Sequence, residues 1–209
     1  ANELTHAGHQ VVVVDAATPG LASSDGNTGI VQYCSDMSLK EMIGKWGQRH
    51  AVDFYKLSLE GMRQLAKMTR RLGAEVGYKP GHSLFLAGRE SGTREVKRQC
   101  DTLIRHGFPA EYVDAETLRD GFRLAAHGAM RTARDANLNP YKMVQALHRD
   151  SMKRGARVYK NARMTSYVRQ GDGFLVRLGR RRIKAGALVL AMGYAKDAYP
   201  PIEADVARN

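Results

Sequence analysis

Three short stretches of the chain hold residue types that could do chemistry together. The first is "HQVVVVDAATPG", residues 9–20, in which four valines run into Asp15. A carboxylate at the end of a buried parallel strand can accept hydrogen bonds from ribose hydroxyls. An acidic residue is also an ordinary way to end an apolar strand, so Asp15 alone decides nothing. The second is "PGLASSDGNTGIV", residues 19–31, with hydroxyls at Ser23, Ser24 and Thr28, an amide at Asn27 and glycines at Gly26 and Gly29. Glycines let backbone N–H groups come close to an anion or a flat ring. The same residues also make surface loops. What raises the reading is position: the loop follows directly on the strand. The third is "ALVLAMGY", residues 187–194, an apolar run ending at Gly193 that reads as a buried strand.

These residues need a scaffold, and the rest of the chain supplies its pattern. Residues 2–7 read as the last turns of a helix stopped by Gly8. Residues 38–72 read as helical, with Ile43, Trp46, Val52, Leu57, Leu65 and Met68 as buried candidates and a break or bend allowed by Gly44, Gly47 or Gly61. Residues 77–87 read as a turn and a strand. Residues 91–107 form a second helix, with Val96, Cys100, Leu103 and Ile104 on one face. A short strand at 110–113 and a turn capped by Asp114 follow, and "AAHGAMRTA" reads as a strand. Residues 139–156 form a third helix with Pro140 in its first turn, where the missing N–H costs nothing. "RVYK" is a short strand. The stretches 162–169, 174–178 and 182–192 read as a meander. The order is that of an α/β or α+β chain, with residues 77–134 inserted between two portions of similar style.

Composition narrows the class. With 209 residues, 43% hydrophobic and 26% charged, the chain can bury a real core. The longest apolar runs are strand-sized, far short of the ~20 residues of a membrane span. The formal net charge is +12, carried by clusters at 69–71, 94–98, 152–157 and 179–184. A basic surface attracts anions. These clusters fall on different elements and no nucleic-acid motif accompanies them, so they read as solvated faces and nucleic acid is not expected as a partner. Cys34 and Cys100 read as two reduced thiols. No metal site is expected, because the histidines lack ligand spacing. His6 and His9 read as surface residues without a carboxylate partner. A serine hydrolase would want G-x-S-x-G, which is absent. The expected location is the cytoplasm, with a peripheral position at the inner face of a membrane as the alternative.

Taken in order, these stretches resemble the FAD-dependent oxidoreductases of the D-amino-acid oxidase and glycine oxidase family. "LTHAGHQVVVVDA" is similar to the end of the family's first helix and its second strand, and "ASSDGNTGIVQ" to its Ala-Ser-x-x-Asn-x-Gly loop. "SLFLA" resembles the first strand of its substrate region. "NLNPYKMVQALHRDSMKRGARVYKNARM" resembles the returning helix and strand, and "GALVLAMGY" the Ala-Thr-Gly strand, with Met192 in the threonine's place.

The resemblance implies a fold: an α/β, partial Rossmann-like FAD-binding domain lacking its first strand, with an inserted part of an α+β substrate domain. Residues 1–76 and 135–209 would form the discontinuous FAD-binding domain and 77–134 a partial substrate-binding region. It implies roles as well. Asp15 would hold the adenosine ribose. Ser23, Ser24 and Asn27 would lie along the pyrophosphate and ribityl chain, with Thr28 and Gly29 next to the flavin ring. The backbone of Met164 would meet the adenine, and Ala191 and Gly193 would pass close to the cofactor near the end of their strand. No catalytic residue is identified. The implied cofactor is FAD, and the implied reaction is oxidation of a small amine or amino acid by hydride transfer to flavin. A 2-hydroxy acid or glycerol-phosphate substrate is the first alternative, and a non-catalytic module with an anion-binding or interaction role is the second. The implied partners are a small-molecule, carboxylate-bearing substrate and an electron acceptor, which could be a protein or a membrane component. The family's first strand, its glycine-rich phosphate turn and its back half have no counterpart in this chain. It is expected to be an internal piece of a longer protein, or the product of a truncated reading frame, with weakened FAD binding.

Overall fold

A computed structural model describes residues 1–193 of the chain. In chain order the elements are α1 (Asn2–His6), β1 (Val12–Val14), β2 (Ile30–Val31), α2 (Leu39–Trp46), α3 (Gln48–Leu72), β3 (Lys79–Leu86), α4 (Thr93–Arg105), β4 (Ala110–Asp114), α5 (Ala115–Phe122), β5 (Gly128–Asn137), α6 (Pro140–Lys153), β6 (Arg157–Tyr159), β7 (Ser166–Gln170), β8 (Gly173–Leu178) and β9 (Arg181–Ala185). The chain divides into two compact units. One comprises residues 1–23 with those from 147 onward, the other residues 24–146. No helix among the described residues is long and apolar enough to cross a membrane.

The first unit holds α1, the parallel pair β1–β6 and the antiparallel meander β7–β8–β9. Val12, Val13 and Val14 stand opposite Arg157, Val158 and Tyr159. Parallel strands need a long crossover, and here the crossover contains the whole second unit. α1 is too short to be stable alone. It is held by Asn2, whose Nδ2 donates to Asp150 Oδ2 at 2.8 Å and to the Leu147 carbonyl at 3.3 Å.

The second unit is built on β5, the ten-residue strand at the middle of its sheet. β3 pairs along one edge of β5. β4 and β2 pair with it at Gly128–Thr132 and Ala136–Asn137, lying end to end along the other edge. A bulge interrupts β5, where Arg134 has a left-handed φ of 69° and the register skips from Gly81–Asp135 to Ser83–Thr132. The bulge turns the Asp135 carboxylate inward. Asp135 is buried, and its Oδ2 accepts hydrogen bonds from Thr132 Oγ1 and from the Ser83 N–H.

The core of this unit joins the sheet to α2, α3 and α4: Leu39, Met42, Ala51, Tyr55, Met62, Cys100 and Leu103 pack with Tyr33, Phe108 and Met130. Tyr33 stacks on Phe108 with centroids 6.1 Å apart, and Tyr55 meets the same ring at 5.4 Å. Both phenols are satisfied despite burial, Tyr33 donating to the Pro109 carbonyl at 2.9 Å and Tyr55 to that of Met37 at 3.2 Å.

The α/β expectation holds, and several details change. The 38–72 helix breaks at Gly47, whose φ of 81° ends α2 and whose extended ψ starts α3. Trp46 and Leu57, expected to be buried, are 49% and 72% exposed, and Ile104 is 51% exposed. The core side of α3 is set by Ala51, Tyr55 and Met62 instead. The loop 16–36 contains β2, which was not foreseen. The third strand of the meander stops at Ala185, and no strand is assigned to 187–192. An apolar run becomes a strand only when a neighbour takes its backbone hydrogen bonds. No described strand does so here, and Val189 is 75% exposed.

Candidate functional site

β1 delivers Asp15 to the carboxyl end of the parallel β1–β6 pair, and the segments leaving both strands are stitched together there. The Asp15 N–H donates to the Tyr159 carbonyl at 3.0 Å, the Ala162 N–H to the Asp15 carbonyl at 2.7 Å, and the Asn161 N–H to that of Ala17 at 2.9 Å. The carboxylate is oriented by its own turn, since Oδ1 accepts the Ala17 N–H at 2.8 Å. Asp15 remains half-exposed. Met164 follows two residues after Ala162, in the irregular stretch before β7. Open α/β sheets bind ligands at the carboxyl ends of their strands, and this is where Asp15 and the 161–164 segment meet.

His148 on α6 belongs to the same surroundings, which the sequence did not reveal. Its Nδ1 is buried without a hydrogen-bond partner among the described residues. Burial holds the imidazole below its ordinary value, the positive N-terminal amine adds to this, and the Asp15 carboxylate opposes both. Helical position alone gave no signal, because both charges that His148 senses, the N-terminal amine and Asp15, lie far from it along the chain.

The loop residues are divided between the units. Ser23 is exposed at the end of the first segment of one unit, and Ser24 to Gly29 open the other. Asn27 and Thr28 are exposed. Asn27 Oδ1 accepts the Gly29 N–H at 2.7 Å and so shapes the turn. Gly29 has φ 71°, and its carbonyl accepts the Leu138 N–H at 3.0 Å. The turn opens on a depression of about 440 Å³ whose lining includes Asp25, Asn27, Thr28, Lys79, Asn137 and Asn139.

Ala191 and Gly193 do not end a strand. Both are exposed, in irregular chain beyond β9, and Gly193, the last described residue, lies in a turn at φ 59°. His6 does have a carboxylate partner: its Nε2 lies 3.2 Å from Asp150 Oδ2 and accepts from Arg154 Nε at 3.1 Å. The partner sits 144 residues along the chain, beyond the reach of a spacing argument. Cys34 and Cys100 are free and buried. Among the described residues no group of three or more His, Cys, Asp or Glu is placed to hold a metal ion.

The family described as DAO, FAD dependent oxidoreductase, matches residues 1–206. Glycine oxidase from Geobacillus kaustophilus superimposes with a TM-score of 0.74 at 20% identity, covering 91% of this chain and 50% of that one. Iminodiacetate oxidase from Chelativorans sp. BNC1 gives 0.67 at 18% identity, covering 88% and 49%. L-alpha-glycerophosphate oxidase from Mycoplasma pneumoniae with FAD bound gives 0.65 at 12%, covering 84% and 44%. A search of curated proteins finds no match. The chain thus spans about half the length of the solved structures it resembles.

The residues present suit the adenosine and ribityl ends of FAD. A turn-oriented carboxylate at a parallel strand end is an acceptor for ribose hydroxyls, and Ser23, Asn27 and Thr28 expose groups that pair with hydroxyls and phosphate oxygens. Among the described residues no glycine-rich strand-to-helix turn stands beside β1 to receive the pyrophosphate. The family match over residues 1–206 leads to one assignment: this chain belongs to the DAO family of FAD-dependent oxidoreductases.

Proposed function

We propose that the protein containing this chain oxidises a small amine or amino acid with FAD, and that this chain supplies part of the cofactor's cradle. The observation that carries the reading is Asp15, held by its own turn at the carboxyl end of β1–β6. In this reading residues 1–76 with 135–209 form the flavin-binding part, and 77–134 belong to the substrate-binding part. Asp15 accepts the ribose hydroxyls, and the backbone at Met164 borders the adenine. Ser23, Ser24 and Asn27 follow the pyrophosphate and ribityl chain, and Thr28 and Gly29 border the ring. Ala191 and Gly193 approach the cofactor from the segment after β9. FAD, when bound, accepts a hydride from the carbon bearing the amine. The protein contributes orientation and electrostatics.

The substrate class draws support from names. Relatives of this fold include a glycine oxidase, an L-proline dehydrogenase from P. horikoshii and an L-amino acid deaminase from Proteus myxofaciens. The glycerophosphate oxidase favours the second reading, a substrate oxidised at an alcohol carbon. Anaerobic bleaching of FAD supplied to the protein decides between them. Glycine, L-proline or D-alanine should bleach it, and lactate and glycerol 3-phosphate should not. Bleaching by the hydroxy compounds alone would overturn the amine reading. Failure to take up FAD at all would leave the non-catalytic module.

A further inference from the structure

The three-stranded meander β7–β8–β9 has two faces of opposite character, fixed by its register. Tyr167, Phe174, Val176 and Ile183 share one face, where Val176 is buried and the Tyr167 and Phe174 rings lie 6.5 Å apart. On the other face Val168, Leu175 and Lys184 form one row across the three strands, and Ser166, Arg177 and Arg182 form the next. Arg177, Arg182 and Lys184 are exposed, and so is Val168, at 51%. Residues 160–185 hold eight basic side chains and one acidic one, Asp172 in the turn between β7 and β8. This stretch carries more than half of the chain's formal net charge of +12.

Arg177 and Arg182 stand directly opposite each other on adjacent strands, with backbones about 5 Å apart. Like charges so placed weaken a sheet. Neither arginine makes an ion pair with a described residue, and nor does Lys184. The basic clusters at 94–98 and 152–157 differ, since Arg98 has Glu95 at hand and Arg154 has Asp150. The meander face thus calls for an anion from outside the chain. Its shape and its apolar members narrow the choice. Val168 and Leu175 are aliphatic, and the aromatic pair lies on the opposite face. Bases of single strands stack on aromatic rings, and this face offers none. A flat set of cations around an exposed aliphatic side chain matches an anionic bilayer, which takes charge at its headgroups and apolar groups beneath them.

We infer that the face carrying Val168, Arg177, Arg182 and Lys184 docks on an anionic lipid surface. The three cations meet the lipid phosphates and carboxylates, and Val168 enters the boundary between headgroups and acyl chains. So few contacts give reversible attachment, not an anchor. The face belongs wholly to the unit that contains residues 147 onward. It uses none of the residues assigned to FAD, so the docking stands apart from the flavin reading.

The test is flotation of the chain with vesicles of phosphatidylcholine containing about a quarter phosphatidylserine, beside vesicles of phosphatidylcholine alone. The chain should float with the anionic vesicles and not with the neutral ones, and about 0.5 M salt should release it. Arg177→Gln, Arg182→Gln and Lys184→Gln should each weaken binding about fivefold, and the three together about a hundredfold. Arg177→Lys combined with Arg182→Lys should keep the binding, which separates lost charge from a lost fold. Val168→Ser should weaken binding about threefold without changing its salt dependence. Lys56→Gln, Lys67→Gln and Arg70→Gln together remove the same charge from exposed positions of α3 and should change binding by less than about twofold. Equal binding to neutral vesicles, or equal losses in the α3 and meander triple variants, would overturn the docking face. Tighter binding to duplex DNA than to the anionic vesicles, lost in the meander triple variant, would also overturn it and make nucleic acid the partner.

Discussion

Gly29 and Leu138 are clasped across the edge of the sheet. The Leu138 N–H donates to the Gly29 carbonyl at 3.0 Å, and a Cβ placed on Gly29 would overlap the Leu138 carbonyl oxygen. This contact ties the loop carrying Asn27 and Thr28 to the turn between β5 and α6. Gly29 also sits at φ 71°, a conformation that side chains rarely adopt.

Gly29→Ala should therefore destabilise the fold by about 2–4 kcal/mol, combining left-handed strain with the overlap. Urea unfolding measures it. Gly26→Ala is the control, because a Cβ there meets nothing within 4 Å. Equal stability of the two variants would show that the clasp is absent.

Burial should keep both thiols silent. Removal from water pushes the Cys34 thiol up to about 12, with the Asp135 charge adding to it, and the Cys100 thiol up to about 11. The thiolate is the reactive form, so neither cysteine should react with iodoacetamide at neutral pH until the chain is unfolded. Mass spectrometry of the alkylated peptides reads this out, and rapid native labelling of Cys34 would contradict the packing around Tyr33.

Acid should loosen the first unit in two stages. His148 is held below its ordinary value of 6.5 by burial, so its neutral form is the one the fold prefers. Its stabilising share is complete above that value and is lost as pH falls below it. Asp150 is held below its ordinary 3.8, first by the Asn2 hydrogen bond and then by His6 and Arg154. Its share is complete above that value and is lost as pH falls through the lower folded one. Urea midpoints from about pH 8 to about pH 3 follow both. His148→Leu should flatten the stage that sets in as pH falls below 6.5, and Asp150→Asn the more acid stage. A profile unchanged by either variant would show that neither group titrates with folding.

Much of this fold could be read from local chemistry. Pro140 and Asn139 mark the start of α6, Asp114 caps α5 through the Thr117 N–H at 2.8 Å, and Gly107 follows α4. The run of four valines, Val11–Val14, carries the parallel strand β1 (Val12–Val14) up to Asp15, as an apolar run with an acidic end suggests, though its side chains are half-buried. What escaped depends on partners distant in sequence. β2 has two residues, too few to show a period. β5 was legible only in its first part, within "AAHGAMRTA"; its continuation through Arg134 to Asn137 was not, because the bulge breaks the alternation there. Trp46 and Leu57 are apolar yet exposed, since periodicity identifies apolar positions and not what covers them. The run at 187–192 reads as a strand on composition and has no described neighbour to make it one.

The claim that Asp15 holds the adenosine ribose of FAD is tested most directly by FAD titration. The chain is fused behind a strand, a G-x-G-x-x-G turn and a helix placed ahead of Ala1, and compared with its Asp15→Ala form. The account predicts flavin absorbance that co-elutes with the fused protein. Asp15→Ala should bind roughly 10- to 100-fold more weakly, as expected for loss of hydrogen bonds to a charged acceptor. No uptake of FAD by the fused protein, or equal uptake by the Asp15→Ala variant, would contradict it.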